Sequence, residues 1–329
     1  MSKIQAAITG IAAYLPPYVL TNAELEQMVE TSDEWIVTRT GIKERRILKG
    51  EGKGTSVMGT EAAKELLEKM NVDPMDVDGV ICATITPDMM FPTTSNLIAS
   101  NIGAKKAFGF DLLAACSGFL FALETAVNYV KSGAYNKIIV LGADKMSSVT
   151  NYKDRNSCIL FGDAAAAVMV EPIQDGNGIK DSIIRSDAVG KDLIYLKAGG
   201  SAYPATEQTI ANGDHYFFQD GKSVFKYAVT QMADVSVELM QRNQLTAEDI
   251  SYFIPHQANK RIIDGVANRL GMSMDKVVVN IEKYGNTTAA TIPLCLWEWE
   301  DKFNKGDNII LSAFGAGFTW GATYLKWAY

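Results

Sequence analysis

Cys116 stands in Phe108-Gly-Phe-Asp-Leu-Leu-Ala-Ala-Cys-Ser-Gly-Phe, where a strand-like run hands over to Leu120, Leu123, Val127 and Val130 at helical spacing. Gly118 and the small Ala114-Ala115 permit a tight turn and close approach of a ligand. A thiol at a helix N-terminus meets the positive end of the helix dipole and several free N–H groups. Both favour thiolate, and the same N–H groups can hold a developing oxyanion. The chemistry on offer is nucleophilic and needs no metal. Free cysteine is also a common small buried residue, and the turn context alone leaves Cys116 evenly balanced between the two. Cys82, Cys158 and Cys295, inside apolar runs, read as core. No C-x-x-C pair occurs and no cysteine sits near a histidine in sequence, so neither a disulfide framework nor a zinc site is expected.

A mechanism that needs a histidine must choose between His215 and His256. His256, in Ser251-Tyr-Phe-Ile-Pro-His-Gln-Ala-Asn-Lys-Arg, follows a strand and precedes a helix, the edge of an α/β sheet where ligands bind. A satisfied histidine at a helix start is the alternative. His215 lies in the polar turn Ala-Asn-Gly-Asp-His-Tyr and reads as a surface residue. Asn286, in Lys283-Tyr-Gly-Asn-Thr-Thr-Ala-Ala, also precedes a helix, where it serves chemistry or only as an N-cap. Ala313-Phe-Gly-Ala-Gly-Phe-Thr-Trp-Gly follows a strand: either its backbone N–H groups face a reacting centre or it is a plain tight hairpin. It lacks the Gly-Lys-Ser/Thr ending of a nucleotide P-loop.

These residues need elements to carry them. Strands are expected at Val77–Thr84, Ala107–Ala114 and Lys137–Gly142, with helices at Thr93–Asn101 and Cys116–Lys131, an α/β pattern with mainly parallel sheet. The second half repeats the plan at an offset near 170 residues: Lys137–Ala143 aligns with Asp307–Ala313, Cys116 with Asn286, and Thr86 with His256. Two duplicated βαβαβ halves follow, residues 1–175 carrying the cysteine and 176–329 carrying the histidine and asparagine. Under this duplication Cys116, His256 and Asn286 project from the same edge of two packed sheets. The turn-rich stretch 171–182 marks the boundary, and residues 186–222 form a less regular insertion suited to a substrate channel or a dimer contact.

With 329 residues, 47% of them hydrophobic and 21% charged, the chain can bury a large core. A net charge of −7 argues against nucleic acid as the main partner. No run approaches the roughly 20 apolar residues of a membrane span. Ile4–Leu20, interrupted by Pro16-Pro17, reads as a strand and turn rather than a signal peptide, which makes the cytoplasm the expected location.

Taken in order, Ser32-Asp-Glu-Trp-Ile-Val-Thr-Arg-Thr-Gly-Ile, Ala-Ala-Cys-Ser-Gly-Phe, His-Gln-Ala-Asn-Lys-Arg, Gly-Asn-Thr-Thr-Ala-Ala and Phe-Gly-Ala-Gly-Phe-Thr-Trp-Gly resemble β-ketoacyl-[acyl-carrier-protein] synthase III over essentially the whole chain. The resemblance implies a five-layered α-β-α-β-α thiolase-like fold and a homodimer. It implies decarboxylative Claisen condensation of an acyl-CoA primer with malonyl-acyl carrier protein, starting fatty acid synthesis, with coenzyme A thioester as substrate and no permanently bound cofactor. It assigns Cys116 as acyl nucleophile, His256 and Asn286 as its partners, and the N–H groups of Cys116 and Ala316 as oxyanion donors. Coenzyme A maps to Thr31, Trp35, Arg39 and Arg155, with Trp35 and Arg155 sandwiching adenine and Arg39 meeting phosphate. Pantetheine maps to Leu160, Gly221, Phe225, Ala258 and Asn259. Phe91 matches a residue that closes the partner's acyl pocket, and Phe161 and Gln257 are further substrate-side candidates. Lys222, Lys226, Lys260, Arg261 and Arg269 are expected to dock the acidic carrier protein, with Asn268 where a further basic residue is common. The same residues also fit a condensing or acyl-transfer enzyme of secondary metabolism. A degradative thiolase fits less well, because Gly315–Gly321 holds no second cysteine. A non-catalytic subunit fits less well because all three reactive residues remain.

Overall fold

The computed structural model describes residues 4–329. Its first part runs β1 (Gln5–Tyr14), β2 (Tyr18–Thr21), α1 (Asn22–Leu25), α2 (Asp33–Thr40), β3 (Glu44–Ile47), α3 (Thr55–Met70), β4 (Gly79–Ala83), α4 (Thr94–Ile102), β5 (Phe108–Leu112), α5 (Gly118–Lys131), β6 (Ile138–Asp144) and β7 (Ala164–Ile173). It continues through β8 (Gly178–Ser186), β9 (Ile194–Leu196), α6 (Glu207–Ala211), β10 (Phe217–Gln219), α7 (Gly221–Arg242), β11 (Tyr252–Pro255), α8 (Lys260–Leu270), α9 (Ile281–Tyr284), α10 (Thr291–Trp299), β12 (Asn308–Gly315) and β13 (Thr319–Lys326). The apolar stretch from Ile4 becomes β1, ends before Pro16-Pro17 and resumes as β2. Among the described residues no helix is long and apolar enough to cross a membrane.

Two large sheets form, ordered β1-β7-β6-β4-β5 and β11-β12-β13-β8. The expected mainly parallel arrangement needs correction. Only β5, β4 and β6 are mutually parallel in the first sheet, and only β11 and β12 in the second; all other neighbours in these sheets are antiparallel. A parallel neighbour requires a long crossover, usually a helix. Residues 316–318 between β12 and β13 are too few for one, so the chain turns straight back. Read from β4 and from β11, the sheets share one sequence of directions: parallel, antiparallel, antiparallel.

The core places three helical layers around these sheets. Phe119, Leu120, Leu123, Val127 and Val130 of α5 and Ile292, Cys295 and Leu296 of α10 are buried between Ile81 and Val140 of one sheet and Ile309 and Leu311 of the other. Met58, Leu66 and Ile98 of α3 and α4 cover the outside of the first sheet. Met232, Leu239, Ile263 and Val266 of α7 and α8 cover the outside of the second. Each fully buried Leu, Val or Phe contributes roughly 1.5–3 kcal/mol. Helix α5, packed on both sides, is therefore a rigid platform for the residue at its head.

In the 186–222 insertion, β9 and β10 form a small antiparallel ribbon. His215 is not the free surface residue expected: it is half-buried, its ring centroid lies 4.0 Å from that of Tyr216, and its Nδ1 is enclosed without a hydrogen-bond partner among the described residues.

Candidate active site

Cys116 does not open α5, as its spacing suggested. It sits in a single 3-10 turn, Ala115–Ser117, that feeds α5 from Gly118. Ala115 is held at φ 47°, a left-handed conformation that costs a non-glycine residue about 1–2 kcal/mol and bends the strand end sharply into the helix. Gly315 fits against this turn because it has no side chain: a Cβ there would lie 2.7 Å from Cys116 N. The thiolate expected from the helix dipole is not the resting form. Burial, followed by the nearby Asp144 charge, pushes the Cys116 thiol up to about 12, which outweighs the lowering by its own backbone hydrogen bond. Iodoacetamide alkylation of Cys116 in the free enzyme is therefore expected to rise about tenfold per pH unit between pH 7 and 9. A plateau near pH 8 would show that the helix end prevails.

His256 follows β11, is buried, and donates its backbone N–H to Ser312 O at 2.8 Å. Its Nδ1 lies 2.7 Å from Thr291 Oγ1. Burial lowers its pKa to about 3, so the ring is neutral at physiological pH. Asn286 is pinned through its backbone, N to Leu160 O at 2.9 Å and O from Gly162 N at 3.1 Å. Its Oδ1 accepts from Thr288 N at 2.9 Å, which assigns the amide orientation and leaves Nδ2 as its free donor. The Oδ1 bond is of the kind a helix cap makes, and Nδ2 is left over to face the cavity that Asn286 lines.

Buried Asp144, at the end of β6, ties the ends of β4 and β6 to the helical turn Thr288–Ala290 that follows Asn286. Its Oδ1 accepts from Thr84, Ile85 and Thr86 at 2.8–3.1 Å, and its Oδ2 accepts from the Thr288 hydroxyl. Gly142 admits the incoming segment, since a Cβ there would lie 2.2 Å from Ala289 O. Sequence reading missed Asp144; a carboxylate closing an apolar strand was the available signal.

Cys116, His256 and Asn286 line one cavity of about 800 Å³. Phe314 and Gly315 line it beside them, Leu160, Gly221, Phe225, Ala258 and Asn259 line its walls, and Trp35, Arg39, Lys222 and Arg261 are also on its lining. The Arg39 and Arg155 guanidinium groups lie 4.5 and 5.1 Å from the Trp35 ring centroid.

Two family profiles match, 3-oxoacyl-[acyl-carrier-protein] synthase III over residues 110–188 and the C-terminal region of the same synthase over 240–327. A β-ketoacyl-[acyl-carrier-protein] synthase III of Bacteroides thetaiotaomicron is 55% identical over 329 residues, 100% of this chain and 98% of the relative. The chain belongs to the 3-oxoacyl-[acyl-carrier-protein] synthase III family. Among solved structures, the synthase III of Aquifex aeolicus superposes with a TM-score of 0.90 at 42% identity, covering 98% of this chain and 100% of the other. The priming β-ketosynthase of the R1128 polyketide pathway does so at 0.92 and 32% identity, covering 99% and 97%. The layers described above are thus the thiolase-like fold of this family.

The synthase III resemblance located most of the cavity, but several assigned residues stand elsewhere. Gln257 is fully buried and spends its amide on Pro255 O, Val278 O and Asn280 N, bracing the chain after β11, so it does not face the cavity. Phe161 is buried behind Phe217, with ring centroids 4.8 Å apart, and Phe217 is the one on the lining. Lys260 and Arg269 are paired with Asp264 and Asp234, both at 2.7 Å, leaving less charge for a partner. Lys226 is exposed and off the lining. Arg155 sits beside Trp35 and donates to Glu30 O at 3.1 Å; neighbouring Thr31 keeps its hydroxyl oxygen buried without a partner among the described residues. Phe91 is 83% exposed. Ile194, Phe217 and Phe218, which the sequence placed only within an insertion, complete the wall.

Proposed function

We propose that this chain condenses an acyl group from an acyl-CoA primer with a malonyl unit on acyl carrier protein, the first step of fatty acid synthesis, through an acyl-Cys116 intermediate. The observation that carries this reading is the convergence of Cys116, His256 and Asn286, drawn from 171 positions of sequence, on one cavity whose lining also bears Trp35, Arg39, Lys222 and Arg261. In acylation the Cys116 sulfur attacks the thioester carbon, the bond to the CoA sulfur breaks, and the thiol proton leaves with CoA. The N–H groups of Cys116 and Ala316 hold the transient oxyanion. Malonyl-carrier then loses CO₂, leaving an enolate whose oxygen takes hydrogen bonds from His256 and Asn286. The carbanion attacks acyl-Cys116, the carbon–sulfur bond breaks, and the released thiolate takes a proton from solvent. Covalent capture divides one difficult step into two.

Trp35, Arg39 and Arg155 suit the nucleotide end of coenzyme A, and Leu160, Gly221, Phe225, Ala258 and Asn259 suit its pantetheine arm. Lys222, Lys226 and Arg261 are the cations best placed to meet the carrier. Leu113, next to edge strand β5, and Met90 and Phe91 are exposed at 78, 77 and 83% and suit a homodimer contact. Residues 1–175 and 176–329 are read as duplicated halves sharing one strand order. Four free cysteines suit a reducing compartment, the cytoplasm.

Incubation with a panel of acetyl-, branched and longer acyl-CoA thioesters is expected to add one acyl mass to the peptide containing Cys116, and addition of malonyl-carrier is expected to remove it as a 3-ketoacyl product. A label on another residue, or none, would reject the reading. Turnover with a polyketide carrier alone would instead favour the priming role named for the R1128 relative.

A further inference from the structure

The two backbone groups assigned to the oxyanion come from segments about 200 residues apart, and nothing in the chain's connectivity brings them together. What joins them is a reciprocal pair of side-chain bonds. Ser117 Oγ donates to Thr319 O at 2.9 Å, and Thr319 Oγ1 donates to Ala114 O at 2.8 Å. Ala316 O lies 3.2 Å from the same Thr319 hydroxyl, which has one hydrogen, and the shorter contact takes it. One bond falls before the left-handed Ala115 and the other after Cys116, so the turn that carries the nucleophile is bracketed on both sides. The hairpin side is equally constrained, since Thr319 uses both its hydroxyl and its carbonyl. Gly315 closes the space between them, with room for no Cβ against Cys116 N or Ser117 N, at 2.7 and 3.1 Å.

We propose that Ser117 and Thr319 are positioning residues that latch the 114–117 turn to the 315–319 hairpin and so aim the N–H groups of Cys116 and Ala316 at one point. This rests on the reading that those two N–H groups hold the oxyanion. Two hydroxyls whose only strong bonds cross between the sheets have no other evident task, and a displacement of about 1 Å in such a pocket can cost 10²-fold in rate.

The test compares two reactions of the same sulfur. Acylation by acetyl-CoA passes through an oxyanion, whereas alkylation by iodoacetamide does not. Thr319→Val, nearly the same shape without the hydroxyl, is expected to slow single-turnover acylation about 10–100-fold while alkylation stays within about twofold of wild type. Thr319→Ser is expected to restore acylation to within about threefold. Ser117→Ala removes the other arm, is expected to slow acylation about 3–10-fold, and carries the same comparison if the valine variant does not fold. Acylation unchanged in Thr319→Val and Ser117→Ala, acylation and alkylation falling together, or a serine variant as slow as valine would each overturn the latch. Failure of the underlying reading looks different, because wild-type enzyme would then form no acetyl adduct at all.

Discussion

Cys116→Ala is expected to abolish condensation, lowering the rate from acyl-CoA and malonyl-carrier by more than about 10⁴-fold, with no acyl adduct detectable by mass spectrometry. The size of the loss follows from the number of roles the sulfur holds in the proposed mechanism, where it takes the acyl group from coenzyme A, keeps it through exchange of substrates, and is the leaving group in carbon–carbon bond formation. No neighbour can inherit these roles. Cys82, Cys158 and Cys295 are buried, and burial raises each of their thiols. In the proposed mechanism malonyl-carrier decarboxylation draws on His256 and Asn286 rather than sulfur, so a slow release of CO₂ is expected to persist in the same variant. Sustained 3-ketoacyl product from Cys116→Ala would end the nucleophile assignment, and CO₂ release falling as far as condensation would mean that the sulfur is needed for enolate formation as well.

The residues that converge here were legible because each lies at the C-terminal end of a strand or just before a helix, where local pattern shows in sequence. Cys116 and His256 carried such signals in their own neighbourhoods, and Asn286 gained its meaning from ordered motifs. What sequence did not disclose depends on long-range packing. Of the antiparallel neighbours in the two large sheets, only β12 and β13 are joined by a short return, residues 316–318; β6 and β7 are separated by residues 145–163, and β1 with β7 and β8 with β13 pair strands far apart in sequence. Gln257 is polar and adjacent to His256, yet it turns inward because three backbone groups of the 255–280 region need partners. Phe161 and Phe217 differ only in which lies nearer the cavity. The thiol state of Cys116 is a balance between a dipole, visible in sequence, and desolvation, which is not. Asp144 and the Ser117–Thr319 pair likewise become meaningful only when residues far apart in sequence meet.

The second large effect is expected at the enolate. His256→Ala and Asn286→Ala should each lower malonyl-carrier decarboxylation by about 10²–10³-fold, measured as CO₂ release, while acylation of Cys116 slows less than about fivefold. The division follows from the hydrogen-bond partners. Asn286 commits Oδ1 to Thr288 N and keeps Nδ2 free to donate. His256 stays neutral because burial lowers its pKa to about 3, so only one ring nitrogen carries hydrogen. The Thr291 hydroxyl has one hydrogen and lies 2.7 Å from Nδ1 and 3.1 Å from Thr288 O; given to Nδ1 across the shorter contact, it sets the ring hydrogen on Nε2, the tautomer that the proposed enolate step requires. In the proposed enolate step two neutral donors then meet one negative oxygen, an interaction that strengthens only as the charge develops. Because neither group titrates near neutrality, decarboxylation is expected to show no inflection between pH 5 and 8. A lowered pKa places the loss of function below about pH 4, where the ring gains a second proton. A decline centred near pH 6.5 would show a histidine exposed to water, and equal losses in acylation and decarboxylation would show that His256 and Asn286 do not divide the labour in this way. The double variant should lose little beyond the worse of the single variants, because the two donors serve one oxygen and neither holds it well alone.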